Sequence, residues 1–510
     1  MLAIFPVIQL AMIDPICILN IYSFLKKRPI QMEFSAGQPS ERFLYHQVVD
    51  LISDMQQKGT LRPGDRIPSL RQLAERLDIS VPTVKQGYLE LERLGLVEAR
   101  PKSGYFLRAS QARMNTPRKP RQSTRAVPVG RQEMIEQVHA NVHQHNALPL
   151  AICNPVSALP PHKALARNMR RVISLANEQA LGYGPLNGFL PLRRQLAFRY
   201  LDLGVQADPE QLVITNGAQE ALTIALLLLA KPGDVIAVES PCYFGILELI
   251  ESLGMLVYEI PICPDDGLCV DDVKRAINTQ PIKACIFSTS ITNPLGAMLT
   301  ETNKQAIVAL LESRDIGLIE DDVYGDLYFG ERRGLPAQIY AKKGLVITCS
   351  SFSKTAAPSH RIGWLLSPRF AAQAARLKRA LSCTSSLLNQ WTLSEYMASG
   401  EYERYIRHLR DVLKINMQRM KAKVESAFPN QTRVSSPHGG AVLWLELARK
   451  ADGAQLFQHA LEQGISIMPG TLFSPTDKYR HCIRLSYGVP WTEEVELAIE
   501  RLGRLAWEYW

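Results

Sequence analysis

The chain alternates between stretches with apolar residues at helical spacing and short, nearly continuous apolar runs. Residues 43–58, FLYHQVVDLISDMQQK, place Leu44, Val48, Leu51, Ile52 and Met55 on one helical face, and Gly59 ends the pattern. Pro63-Gly64 marks a turn. Ser69 stands before LRQLAERL, where its hydroxyl can accept an otherwise unpaired amide at a helix start. Asp78-Ile79-Ser80 interrupts the pattern. Ser80 is placed to cap a third helix, VPTVKQGYLELERL, with Pro82 near the first turn, where a missing N–H costs little, and Gly95 at its end. Two strand-like pieces, LVEAR and YFLR, then flank a Pro-Lys-Ser-Gly turn. The expected order is helix, helix-turn-helix, two-stranded wing.

Residues 109–130 are rich in Ser, Thr, Pro, Arg and Gly without periodicity, which predicts a flexible basic linker. From about residue 131, helical patterns alternate with short apolar runs, the signature of an α/β domain on a largely parallel sheet. Five of those runs end in polar clusters. LVIT leads to Asn216-Gly217-Ala218-Gln219, VIAVES to Pro241-Cys242-Tyr243, and KACIFSTS to Asn293-Pro294. GLIE leads to Asp321-Asp322-Val323-Tyr324, and LVITCS to Ser351-Phe352-Ser353-Lys354. All five are expected at the carboxyl edge of one sheet, where open α/β sheets bind ligands.

Composition narrows this picture. A chain of 510 residues, 46% hydrophobic and 21% charged, is that of a globular protein with at least two domains. Residues 41–131 carry 17 Lys and Arg against 9 Asp and Glu, so nearly all of the net charge of +9 lies in that segment. That points to a polyanionic partner for the segment, with a merely solvated basic surface as the alternative. The nine cysteines lack any CxxC pair or metal-type spacing, which excludes a zinc site and suits a reducing cytoplasm. Residues 1–25 are very apolar but contain Pro6, Asp14, Pro15 and Asn20, and Lys26, Lys27 and Arg28 follow the run. Cations after an apolar run argue against a signal peptide. An over-extended start, with Met32 the true beginning, is expected rather than a membrane anchor.

A recognition helix presents short polar and basic side chains to base edges from its first turns, while preceding residues grip phosphate. Ser80, Thr83 and Lys85 are placed for the first task, Arg71 for a phosphate, and Lys102 in the wing for a minor groove. The stretch LRPGDRIPSLRQLAERLDISVPTVKQGYLELERLGLVEARPKSGYFL resembles the GntR family of bacterial regulators. The resemblance implies double-stranded DNA as a partner, contacted by Arg71, Ser80, Thr83, Lys85 and the wing around Ser103 and Gly104. Val81 stands where that family often has Arg, so a usual contact is missing.

The second set of clusters needs a ligand of its own. A lysine that forms a Schiff base must lose its proton near neutrality, and an acid paired with a ring nitrogen must stay ionised. Lys354 and Asp321 fit these roles. A phosphate would find donors in Ser351, Arg361 and the amides of Ala218 and Gln219 at a helix start. Tyr243 offers a ring for stacking, and Asn293 and Tyr324 can hydrogen-bond a ring oxygen. Each residue alone is ordinary, since a lone lysine after a strand is usually solvated; the conjunction carries the reading. TNGAQEAL, ESPCYFG, TNPLG, IEDDVY and SSFSKTAAPSHRIGW together resemble the fold-type I aminotransferases, which bind pyridoxal 5'-phosphate. The resemblance adds Ser353 to the phosphate cluster. It also implies that Tyr183, in GYGPLNGFLPLR, reaches the phosphate in a neighbouring subunit of a homodimer, and that Arg484, in IRLSYG, holds a substrate carboxylate. Leu295 replaces the Thr common after Asn-Pro in that family, which touches substrate orientation but not cofactor placement.

Over about residues 43–500 the combination resembles the MocR subfamily of GntR regulators. The expected organisation is an apolar extension over 1–40, a winged helix-turn-helix over 41–108, a basic flexible linker over 109–145 and an aminotransferase-like domain over 146–510. The expected fold is α/β: the winged helix, then a domain of fold type I with a mostly parallel sheet and a small C-terminal α+β subdomain. The resemblance implies a cytoplasmic regulator that senses an amine or amino acid as it displaces Lys354 to form an external aldimine. An active aminotransferase carrying a DNA-binding module is the alternative, because Lys354 could equally serve as its general base.

Overall fold

The computed structural model describes residues 44–57, 60, 61, 64–93, 96–100, 103–107, 115–129, 136 and 147–509. They fall into two compact units, one holding the described residues of 1–60 and 69–88, the other those of 61–68 and 89–510. The proposed start at Met32 and the apolar extension lie outside the described residues.

In the first unit, helices Leu44–Gln57, Leu70–Leu77 and the start of Val81–Arg93 enclose Val48, Ile52, Leu73, Ala74, Val84 and Tyr88. A Cβ on Gly87 would lie 2.7 Å from Val48 Cβ, so the first and third helices approach at a point where only glycine fits. Ser69 and Gln72 form a reciprocal cap: Gln72 N donates to Ser69 Oγ at 3.3 Å and Ser69 N to Gln72 Oε1 at 3.0 Å. Ser80 caps the third helix as expected, accepting from Thr83 N at 3.2 Å.

The wing is an antiparallel pair, β1 (Val97–Arg100) and β2 (Gly104–Leu107), with Val97 opposite Leu107 and Arg100 opposite Gly104. Gly104 takes φ +99°, which closes its turn.

An eight-stranded sheet forms the centre of the second unit. Its strands are β4 (Leu212–Thr215), β5 (Val235–Ser240), β6 (Leu256–Cys263), β7 (Gly267–Leu268), β8 (Ile282–Phe287), β9 (Gly317–Asp321), β10 (Val346–Ser351) and β11 (Gly363–Leu366), numbered so that the short Leu148–Pro149 pairing strand is β3. Their order is β4-β11-β10-β9-β8-β5-β6-β7. Only β11 and β7 run antiparallel to their neighbours. The continuous apolar runs are explained by burial on both faces. Successive residues go to opposite sides: Ala237 and Cys285 join one core, Ile236, Val238, Ala284 and Ile286 the other. The smaller lobe is an antiparallel sheet of β12 (Arg433–Val434), β13 (Val442–Glu446), β15 (Met468–Pro469) and β16 (Cys482–Ser486), and helix Glu493–Glu508 packs on helices Glu401–Ala427 and Gly453–Glu462. Ile465–Ser466, which is β14, pairs with β3.

Within the expected linker, the described stretch 115–129 is not free. Residues 115–129 lie along the second unit as a fixed strap. Val127 and Val257 exchange backbone hydrogen bonds, both of 2.9 Å, and Val129 is buried. Lys119 Nζ reaches Asp272 at 2.5 Å. Tyr258 Oη donates to the Ser123 carbonyl at 2.8 Å, and Lys478 Nζ bridges Ser123 Oγ at 2.8 Å and Glu259 at 2.7 Å. Side chains that read as solvated are therefore paired across long sequence separations, and such pairing leaves no periodic trace.

No helix among the described residues is long and apolar enough to cross a membrane.

Candidate functional site

Strands β4, β5, β8, β9 and β10 end at one edge of the sheet, and the five polar clusters meet there. Helix Ala218–Leu229 starts at Gly217, which has φ +86° and supplies no side-chain cap, so the amides of its first turn lack an acceptor from that cap. A Cβ on Gly217 would lie 2.5 Å from Arg361 Nη2. Arg361 itself takes φ +53° and donates to the Asn216 carbonyl at 3.3 Å and to Ser353 Oγ at 3.4 Å. Ser353 N donates to Ser351 Oγ at 3.3 Å. A helix start, a guanidinium and two hydroxyls thus converge, and the dipole and charge both favour a phosphate. Gln219 Nε2 ties this turn to the Gly245 carbonyl at 3.0 Å, and the Tyr243 ring packs over Gly245.

On the same rim, Lys354 is half-buried, and the desolvation of its side chain lowers its ammonium pKa. A neutral amine is the form that attacks an aldehyde. Its Nζ donates to the Cys153 carbonyl at 2.6 Å. Asp321 ends β9 and accepts the Val323 amide at 3.2 Å, with no cation at salt-bridge distance among the described residues. Burial, reinforced by the charge of Asp322, pushes its carboxyl up to about 7 against the pull of the Val323 amide and Lys354. A cationic ring nitrogen would supply the missing counter-charge.

Tyr324 Oη donates to Cys153 Sγ at 3.1 Å. Burial pushes the Tyr324 hydroxyl up, and that of Tyr243 up to about 12, so both are protonated donors. Arg484 is 2% exposed. It donates to Asn293 Oδ1 at 3.1 Å and to the Ala151 carbonyl at 2.6 Å, and lies 5.2 Å from the centre of the Phe473 ring. Its Nε has no partner, and among the described residues no carboxylate lies within salt-bridge distance. A buried guanidinium without an anion calls for one. The aldehyde-reactive amine, the acid without a cation and the phosphate cradle fit pyridoxal 5'-phosphate, and Arg484 fits a ligand carboxylate beside it.

In the N-terminal module Arg71, Ser80 and Lys85 are exposed and Thr83 is half-buried; the hydroxyls of Ser80 and Thr83 lie 2.7 Å apart. Ser103 is exposed at the wing tip beside Gly104, and Lys102 lies outside the described residues.

Residues 44–107 match the family described as bacterial regulatory proteins, gntR family, and residues 148–502 match aminotransferase class I and II. Two Escherichia coli relatives, the uncharacterized HTH-type transcriptional regulators YjiR and YdcR, are 31% and 33% identical over 90% and 91% of this chain and 98% and 99% of their own. Both modules are therefore matched together, in one order, over whole relatives. The chain belongs to the MocR-type gntR regulators. Among solved structures, the kynurenine aminotransferase of Pyrococcus horikoshii aligns with a TM-score of 0.68 at 24% identity, over 74% of this chain and 94% of that one. The α-aminoadipate aminotransferase LysN of Thermus thermophilus, complexed with N-(5'-phosphopyridoxyl)-L-leucine, aligns at 0.67 and 26% identity, over 75% and 99%.

In this MocR-type regulator the structure brings Ala218, Gln219, Tyr243, Asn293, Asp321, Tyr324, Ser351, Ser353, Lys354, Arg361 and Arg484 to one rim. Tyr183 does not join them: it is 88% exposed. Asn293 Oδ1 accepts from Arg484, which turns the amide nitrogen to the side where it can donate to a cofactor oxygen. Sequence reasoning missed Cys153, whose carbonyl and thiol both face the pocket; a cysteine between Ile152 and Asn154, outside any long element, carries no pattern. It also missed Arg66, whose guanidinium lies against Gly104 of the wing, although its place in PGDRIPS was a usable signal.

Proposed function

We propose that the chain is a pyridoxal-phosphate-dependent DNA-binding transcription regulator that senses an amino acid or amine, with Arg484 selecting the carboxylate of an amino acid. The observation that carries this reading is the buried, anion-free guanidinium of Arg484 on the same rim as Lys354 and Asp321. When bound, the cofactor supplies a reactive aldehyde and an electron-withdrawing ring. Lys354 would hold the aldehyde carbon, and its amine would accept or return a proton beside it. Asp321 would hold the ring nitrogen, Tyr243 would cover the ring, and Asn293 and Tyr324 would donate to the ring oxygen. Ser351, Ser353, Arg361 and the amides of Ala218 and Gln219 would hold the phosphate.

A winged helix-turn-helix over 41–108 reads double-stranded DNA through Arg71, Ser80, Thr83, Lys85 and a wing at Lys102, Ser103 and Gly104. Residues 109–145 connect it to the aminotransferase-like domain over 146–510. A ligand that prefers one arrangement of the two shifts DNA affinity by that preference. Exposed Tyr183, with Ile173, Leu175 and Leu186 also exposed near it in the sequence, supports a homodimer in which Tyr183 serves the partner's phosphate. The protein acts in the cytoplasm.

The test compares wild type with Arg484→Met, titrating cofactor-loaded protein with amino acids and with the amines that lack their carboxyl group, while the visible cofactor band and DNA retention are followed. The variant should lose at least about tenfold in apparent affinity for amino acids, the scale of a lost charge-assisted hydrogen bond, and keep its response to amines. Equal losses for both ligand classes, or none, would overturn the reading. Sustained keto-acid-dependent product formation in the same samples would favour the aminotransferase instead.

A further inference from the structure

We infer that Lys378 is a positioning residue for the cofactor phosphate, acting through Glu220. The inference rests on the cofactor reading above and concerns residues that the reading does not use.

Glu220 occupies the first turn of helix Ala218–Leu229, the turn whose amides face the phosphate cradle. Its Oε2 accepts Asn216 N at 2.6 Å, and its Oε1 accepts Ser382 Oγ at 2.5 Å and Asn216 Nδ2 at 3.4 Å. The carboxylate therefore clamps the residue before Gly217 and sets the entry of the chain into the helix. Asn216 also offers its carbonyl to Arg361 at 3.3 Å, so the same clamp fixes the guanidinium.

A carboxylate in a first turn suits the helix dipole, but it sits badly beside a bound phosphate, because the two anions repel. Lys378 resolves the conflict. It comes from helix Ala371–Ser382, its side chain is 0% exposed, and its Nζ lies 3.0 Å from Glu220 Oε2 and 2.5 Å from Ser382 Oγ. A lysine so buried, with a single carboxylate beside it, is a fixed counter-charge rather than a solvated surface group. With Lys378 present, Glu220 clamps the turn at no net charge. With a neutral group there, the clamp becomes an uncompensated anion at the phosphate.

The experiment titrates cofactor-free protein with pyridoxal 5'-phosphate and, separately, with pyridoxal, which keeps the aldehyde and lacks the phosphate. Uptake is read from the visible band and from protein fluorescence. Lys378→Met should weaken pyridoxal 5'-phosphate by about tenfold or more, the scale of one unit charge at a few ångströms in a partly screened site. Pyridoxal should change by less than about twofold. The double variant Lys378→Met with Glu220→Gln removes both charges, keeps the amide acceptor for Asn216 and should recover most of the phosphate-dependent affinity. It also keeps the test decisive where the single variant folds poorly. Equal losses for both aldehydes, or no loss for the phosphorylated one, would overturn the role of Lys378. Failure of wild type to take up either aldehyde would instead overturn the cofactor reading itself.

Discussion

Replacing Asp321 by Asn should stabilise the cofactor-free protein and weaken the cofactor-loaded one. In the folded chain burial raises the Asp321 carboxyl from 3.8 to about 7. A raised carboxyl binds its proton more tightly folded than unfolded, so its contribution is fully present below pH 3.8 and is lost as pH climbs through about 7. At about 1.4 kcal/mol per pH of displacement, the raised Asp321 carboxyl costs the empty protein roughly 4 kcal/mol at pH 8, where it is ionised, and less than half of that at pH 5, where the folded chain instead takes up a proton. Asn keeps an acceptor for the Val323 amide and removes the charge. Urea unfolding of cofactor-free wild type and D321N at pH 5 and pH 8 measures the difference. The variant should gain at both values and at least twice as much at pH 8. With cofactor bound, the order should reverse, because wild type alone has a carboxylate to meet the ring nitrogen. A pH-independent gain, or a cofactor-free variant less stable at pH 8, would refute the claim that a half-buried carboxylate awaits a cation at this position.

Two other outcomes test the DNA-binding module and the strap. Arg71→Ala should lower affinity for all duplexes alike and reduce the slope of log affinity against log salt by about one, as loss of one phosphate contact does; an unchanged slope in fluorescence anisotropy removes the contact. Lys478→Met leaves Glu259, which is 1% exposed, without its cation, at about 3–5 kcal/mol, and should speed proteolysis and hydrogen exchange within 118–129; unchanged protection would show that the strap is held elsewhere.

What could be read from the sequence followed from how local its causes were. The sheet was legible because strands buried on both faces must be continuously apolar, and polar residues just past Thr215, Asp321 and Ser351 then share one edge. The caps at Ser69 and Ser80 were legible because their bonds span three residues. The strap was not, since Lys119 meets Asp272 and Ser123 meets Lys478 through single contacts across the fold. Lys378, in AAQAARLKRALS, reads as an ordinary surface cation, and only the packing of its helix against the start of another buries it. Cys153 meets Lys354 across 201 residues, a contact that no local pattern announces.

The most direct measurement is chemical. Cofactor-loaded protein is reduced with borohydride, digested and mapped by mass spectrometry. The account requires a phosphopyridoxyl group on Lys354 in near-stoichiometric amount. A label on another lysine, or none on protein supplied with the aldehyde, would contradict it.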